Sequence, residues 1–328
     1  MIPSKLKRGD EIRVISPSSS LSIVSDYNRD LAIKRLTDLG FHVTFSKNAE
    51  EIDRFASSSV SSRIHDLHEA FADPRVKAIL TTLGGYNSNC LLNHINYDLI
   101  RNNPKILCGY SDITSLSNAI YAKTGLITYS GPHFSSFEME KGLDYTIEYF
   151  LKCMTSEEPI EIQPAKTWSD DSWYMDQENR TFFQNEGYIS LHKGEAVGKI
   201  VGGNMSTFNL LQGTAYMPSL RDKILFLEED ALTGNATVQT FDRYLHSLMQ
   251  QPEFEYVKGI VIGKLQKASE AVIEDIQEMI YSKQELSHIP VIANANFGHT
   301  TPIFTFPIGG LVKIVSDKIN TSIALLTH

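Results

Sequence analysis

The sequence predicts an α/β protein, with an open parallel sheet over roughly the first half of the chain and a second mixed α/β domain over the rest. Three observations carry this expectation. Short apolar runs alternate with stretches of helical periodicity up to about residue 155, and such alternation builds parallel sheets with helices on both faces. The alternation then breaks at Pro159, Pro164 and the polar, aromatic segment KTWSDDSWYMDQENR (166 to 180) before it resumes. A chain of 328 residues also exceeds the usual single domain of about 100 to 200 residues.

Each element follows from its local pattern. The run EIRVIS (11 to 16) is apolar and ends in Pro17-Ser18-Ser19-Ser20, which makes it a first strand leading into a loop. Leu31, Ile33, Leu36 and Leu39 give an approximately helical spacing stopped by Gly40, and residues 41 to 45 alternate as a strand. Ile64, Leu67 and Phe71 share one helical face ahead of Pro74, and residues 76 to 82 form the next strand. The cycle continues with a strand at 105 to 108, a helix at about 112 to 123, a strand at 126 to 129 and a helix at 144 to 154. Beyond the break, strands are expected at 196 to 201, 224 to 227, 259 to 262, 291 to 293 and 311 to 315. Helices are expected at 205 to 212, 237 to 249 and 271 to 281. The expected domains are therefore 1 to 160, a linker or loop at 161 to 185, and 186 to 328. No internal repeat or low-complexity tract interrupts them.

Composition narrows the function. With 42% hydrophobic and 21% charged residues the whole chain is expected to fold. A net charge of −9, with no basic run beyond Lys5-Leu6-Lys7-Arg8, argues against a nucleic-acid partner. The N-terminus lacks the apolar stretch of a secretory signal, and no run approaches the roughly 18 apolar residues of a membrane span, so a cytoplasmic protein without a membrane partner is expected. Cys90, Cys108 and Cys153 have neither an even count nor metal-ligand spacing, and are expected to be reduced and mostly packed.

Chemistry is concentrated in a few turns. In Ile106-Leu107-Cys108-Gly109-Tyr110-Ser111-Asp112-Ile113-Thr114 a buried strand runs through a tight turn bearing a serine into a helix start. A serine there projects beyond the sheet, and the first helical N–H groups can hold an oxyanion. Ile113 stands where the motif G-x-S-x-G has its second glycine, so an ordinary α/β-hydrolase is not expected. The same segment also reads as a plain helix cap. Leu83-Gly84-Gly85-Tyr86-Asn87-Ser88-Asn89 is a second glycine-rich turn after a strand, and ligand sites of open parallel sheets collect at such strand ends. It lacks G-x-G-x-x-G and a P-loop lysine.

A nucleophilic serine needs a base, and the base an orienting carboxylate. Of ten histidines, His299 lies in Asn296-Phe297-Gly298-His299-Thr300-Thr301-Pro302, a loop directly after a strand. His42, His65, His68, His94 and His246 fall within predicted strands or helices, while His133 and His192 remain competitors. Acids end the apolar strand Ile224-Leu225-Phe226-Leu227-Glu228-Glu229-Asp230, and composition does not choose between Glu228 and Glu229.

The ordered set of a double-glycine turn, GYSDIT, Gly202-Gly203-Asn204, LFLEED and FGHT resembles the LD-carboxypeptidase family of serine peptidases, over nearly the full chain. The branch typified by the microcin C immunity protein is nearest, given GGYNSN and the aromatic-rich loop WSDDSWYMDQENR. The resemblance implies Ser111 as nucleophile, Glu228 as orienting acid and His299 as base, with the backbone N–H groups of Gly85 and Asp112 as oxyanion hole. It also implies a flavodoxin-like N-terminal domain, a smaller C-terminal swivelling β/α domain with the site at their junction, a homodimer, and no metal or cofactor. Trp173 is a candidate to cover a substrate purine, with Trp168 second; both could instead pack across the domain junction. Asn204 and Asn87 are weaker candidates for substrate contact. The implied substrate is a small peptide or peptidyl-nucleotide, with cleavage of an aspartyl-nucleotide amide as the first expectation. Trimming of muropeptides is the alternative, and a non-catalytic binding protein for a nucleotide or peptidoglycan fragment is an alternative of another class.

Overall fold

Five of the predicted N-terminal runs assemble into one parallel sheet. The computed structural model describes all of residues 1–328. Its first sheet has the strand order Phe306–Ile308, Thr128–Ser130, Ile106–Cys108, Val76–Thr81, Glu11–Ile15, His42–Phe45. All but the first are parallel, and their order is that of flavodoxin-like sheets. Helices Asp26–Asp38, Val60–Ala72, Ile113–Thr124 and Asp144–Thr155 connect or cover these strands. None of the helices is long and apolar enough to cross a membrane.

The second sheet has eight strands, with Gly194–Asn204, Lys223–Glu228, Gly259–Gly263 and Val291–Ala295 forming its parallel centre. Gly194–Asn204 is longer than the pattern suggested because its two ends have different partners. Its first half pairs antiparallel with Leu311–Ser316, while its second half pairs in parallel with Lys223–Glu228, setting Asn204 opposite Glu228.

The structure adds strands that the pattern missed: Ile160–Ile162, Ile189–His192, Phe306–Ile308 and Ser322–Thr327. Phe306–Ile308 leaves the C-terminal half to form an antiparallel edge of the first sheet, where Pro307 is tolerated because an edge strand has one free side. The segment 161 to 185 is more than a linker: Thr167–Trp168 pairs with Phe183–Gln184, and Ser169 bridges Thr301 through two backbone bonds of 2.7 Å. Its side chains make the tie firm. The Arg180 guanidinium donates to Asp171 at 2.7 Å and to the Thr301 hydroxyl at 3.2 Å, and Asn296 accepts from the amide of Ala165 at 3.0 Å.

Nor does each half bury a core of its own. One apolar cluster joins Val14, Leu80 and Tyr129 of the first sheet to Phe226, Phe297 and Phe306, and another joins Leu107 and Leu116 to Val201 and Leu225. The helix Ile113–Thr124 makes this junction specific. Asn118 exchanges two hydrogen bonds with the backbone of Gly202 (2.8 and 3.2 Å), and the Thr114 hydroxyl accepts from the amide of Asn204 at 3.0 Å. The helix that follows the serine turn is thereby keyed to the strand beside Glu228.

Candidate active site

Ser111 ends the turn after the buried strand Ile106–Cys108 and has a left-handed backbone, with φ of +59°. A residue with a Cβ is strained there, and such strain concentrates at functional turns. Asp112 stands at the N-cap of the following helix, but neither its side chain nor that of Ser111 makes a capping hydrogen bond. The Asp112 carboxylate instead accepts from the Ser18 hydroxyl at 2.5 Å and from the Ser88 amide at 2.8 Å, tying three loops at the sheet's carboxyl edge. The strain has a measurable consequence. Ser111→Gly and Ser111→Ala both remove the hydroxyl, but only alanine keeps a Cβ at positive φ, so the glycine variant is expected to be more stable by about 1 kcal/mol. Equal melting temperatures in calorimetry would show an unstrained turn.

The Ser111 hydroxyl lies 2.9 Å from His299 Nε2, and His299 Nδ1 lies 2.8 Å from Glu228 Oε2. The three sequence-predicted groups thus meet, although they are 117 and 71 residues apart along the chain (111 to 228 and 228 to 299). Glu228 is buried, while the His299 side chain keeps 19% of its surface exposed. Gly298 makes the close approach possible, since a Cβ there would stand 2.6 Å from Glu228 Oε2. Burial pulls the His299 imidazole down, but the adjacent, hydrogen-bonded Glu228 carboxylate, helped by Asp230 and Glu229, outweighs it, and the pKa is raised to about 9.

Glu229 points elsewhere. It accepts from the Ser206 amide at 2.9 Å, the Ser206 hydroxyl at 3.1 Å and the Asn204 side-chain amide at 3.3 Å. Burial, and then the neighbouring acids Glu228 and Asp230, push its pKa up to about 7. The partners therefore distinguish the adjacent acids: Glu228, the last residue of its strand, meets His299, while Glu229, just beyond the strand, is held by Asn204 and Ser206.

The Gly84-Gly85 turn closes over the serine: a Cβ on Gly84 would lie 3.0 Å from Ser111 Oγ. The amides of Gly85 and Asp112 donate to no protein acceptor. His133 sits behind the turn, its Nδ1 2.7 Å from the Thr81 hydroxyl and its ring 4.4 Å from that of Tyr110, whose other neighbour is the His299 ring at 5.6 Å. Burial holds His133 down at about 3, so it stays neutral, and it makes no bond to Ser111. His192 belongs to the strand Ile189–His192 and packs on Tyr281, leaving His299 as the histidine bonded to the serine.

The other candidates have definite surroundings. Asn204 is buried as the cap of helix Met205–Asn209, its side-chain oxygen accepting from Ser206, from the Thr207 amide and from the Thr207 hydroxyl. The Asn87 oxygen accepts from Arg63 at 2.9 Å. Trp168 already carries the Lys264 ammonium at 4.6 Å from its ring centre. Trp173 is half-buried against the core cluster shared by the two sheets and lies edge-on to Tyr174. Sequence reasoning missed Ser18, Ser88, Asn118 and the carboxylate role of Asp112. Asp112, inside the serine motif, and Ser18 and Ser88, inside loops that follow strands, lay in flagged segments, whereas Asn118 in mid-helix carried no local signal.

Chemically, a hydroxyl on a strained turn, an imidazole bonded to it and a buried carboxylate on the far ring nitrogen make an arrangement that can carry acyl transfer.

Comparison with known proteins follows the same lines. Residues 12–131 match the LD-carboxypeptidase N-terminal domain and residues 197–314 the LD-carboxypeptidase C-terminal domain. The structure of an MccF-like protein from Bacillus anthracis strain Ames is 75% identical, with a TM-score of 1.00 and 100% of both chains covered. YocD of Bacillus subtilis (strain 168), provisionally named a carboxypeptidase, is 56% identical over 314 residues, 96% of each chain. The microcin C7 self-immunity protein MccF of Escherichia coli is 31% identical over 340 residues, 98% of this chain and 95% of that one. Structures of MccF hold aspartyl sulfamoyl adenosine (TM-score 0.89, 30% identity, 100% and 99% covered) and glutamyl sulfamoyl guanosine (TM-score 0.88, 30% identity, 99% and 98% covered).

Proposed function

The chain belongs to the LD-carboxypeptidase family, and from that premise we propose that it is a serine hydrolase using Ser111, His299 and Glu228 to cleave an amide next to a free carboxylate. Its substrates in this reading are aminoacyl-nucleotide conjugates of the processed microcin C type. The observation that carries the mechanism is the relay of 2.9 and 2.8 Å from serine to histidine to glutamate. The substrate class is supported by the sulfamoyl nucleosides held by MccF, an enzyme of the same fold. A homodimer and a cytoplasmic location belong to the same reading and rest on the family resemblance.

Ser111 Oγ attacks the carbonyl carbon while His299 Nε2 takes its proton, and Glu228 steadies the imidazolium. The carbonyl oxygen, now anionic, is held by the amides of Gly85 and Asp112. Collapse expels the amine, which leaves with the proton from His299. Water then gives a proton to His299 and attacks the acyl ester, and the serine recovers its proton as the acid departs.

The test is turnover of aspartyl sulfamoyl adenosine against a muropeptide tetrapeptide. Faster turnover of the muropeptide would move the substrate class to cell-wall fragments, and turnover of neither would leave a binding protein. Specificity has its own check at Trp173, the indole whose face carries no lysine. Base stacking on an aromatic ring is worth about 1 to 3 kcal/mol, so Trp173→Ala is expected to lower kcat/KM for the nucleotide conjugate by roughly 5- to 150-fold. A dipeptide amide without the purine should change little. Equal losses on both substrates would assign Trp173 to the domain junction.

A further inference from the structure

A cavity of about 360 Å³ opens at the carboxyl ends of the strands Gly259–Gly263 and Val291–Ala295, on the sheet face away from the triad. Strand alternation separates the two places. Glu228 follows Phe226 on the face packed with Phe297, whereas Ile262 and Ala293 line the cavity and belong to the face covered by helix Ile273–Tyr281.

The cavity contains a cation that folding alone does not explain. Lys264 is buried, with 9% of its surface exposed; its ammonium has one hydrogen-bond partner, the side-chain oxygen of Asn294, and otherwise lies over the Trp168 ring. No carboxylate pairs with it, although Glu186 stands at the cavity wall. Buried ammonium groups are costly unless paired, and an unpaired one facing a cavity is arranged for a charge that arrives with a ligand. Burial lowers its pKa to about 8, so it stays largely charged at neutral pH. Asn294 is held at φ of +65° with its amide donating to the Gly187 carbonyl at 2.7 Å, which fixes its oxygen towards Lys264. Trp168 and Phe183 from the 161 to 185 hairpin form an aromatic wall, and the ammonium of Lys267, exposed at the rim, lies over Phe183.

We propose that this cavity is a second ligand site, separate from the triad, for a small organic anion with a flat apolar body. The anionic group meets Lys264 and Lys267, whose ammonium groups stand 4.6 and 5.7 Å from the centre of the Trp168 ring, and the flat body lies against the aliphatic wall of Ile189, Ile262 and Ile276. The position fits the rule that open α/β sheets bind ligands beyond the carboxyl ends of their strands.

Trp168 reports on the site directly. The chain has two tryptophans, so a Trp173→Phe protein carries Trp168 as its sole indole. Its fluorescence is measured while benzoate, phenyl phosphate and the neutral control benzyl alcohol are added. A saturable change with either anion is expected, and Lys264→Met in the same background should weaken it by about tenfold or more while circular dichroism shows a folded protein. A stronger response to benzoate assigns a carboxylate ligand, and one to phenyl phosphate a phosphate. No saturation with either anion up to about 20 mM, an equal response to benzyl alcohol, or an unchanged midpoint in Lys264→Met each overturns the proposal. The readout needs no turnover, so it is independent of the proposed hydrolysis.

Discussion

Ser111→Ala and His299→Ala are each expected to lower kcat by on the order of 10⁶, with the double variant little worse than either. The two groups form one device. Without the imidazole the hydroxyl keeps its proton, and without the hydroxyl the imidazole has nothing to activate, so removing the second adds almost no further loss. The residual rate comes from the Gly85 and Asp112 amides and from binding. Kinetics on aspartyl sulfamoyl adenosine measure the effect, and a fluorophosphonate supplies a second readout, since it should label the wild-type protein stoichiometrically and Ser111→Ala not at all. Both variants should fold, because the junction that aligns the triad is built from Asn118, Thr114 and the shared aromatic core. Near-wild-type turnover in Ser111→Ala would remove the central claim.

What the sequence revealed and what it hid divide along physical lines. The parallel strands were legible because each is a short apolar run closed by a turn, a property of neighbouring residues. Ser111 and His299 were legible because each sits in a polar turn directly after such a run. Other features depend on partners far along the chain. Phe306–Ile308 is three residues with a proline, and only the exposed edge beside Thr128–Ser130 makes it a strand. The segment 161 to 185 has no period of its own, because bonds from Asn296 and Thr301 shape it. The choice between Glu228 and Glu229 was hidden for a similar reason: the strand ends between them, and which acid meets His299 is fixed by the loop after a different strand.

Glu228→Gln is expected to lower kcat by about 10⁴ and to move the pH profile towards acid. The carboxylate only accepts hydrogen bonds, so it holds the proton of His299 on Nδ1 and turns the lone pair of Nε2 towards Ser111. The glutamine amide also donates; when it donates to Nδ1 the ring proton moves to Nε2, and the histidine faces the serine with a hydrogen it cannot exchange for the serine's own. The charge has a second effect. The carboxylate, against the pull of burial, holds the pKa of His299 above that of a free imidazole, at about 9. The rising limb of kcat/KM should therefore lie above the ordinary histidine value, between about 6.5 and 9, with activity gained as pH increases. In Glu228→Gln the raising influence of the carboxylate is gone while burial still pulls the pKa down, so the limb shifts to lower pH even as its plateau falls. Glu229 raises the same histidine only from a distance, and Glu229→Gln should move the limb less and keep the plateau within about tenfold of wild type. If Glu229→Gln proves more damaging than Glu228→Gln, the two acids have been assigned the wrong way round. A limb that does not move in Glu228→Gln would mean that the titrating group is not His299.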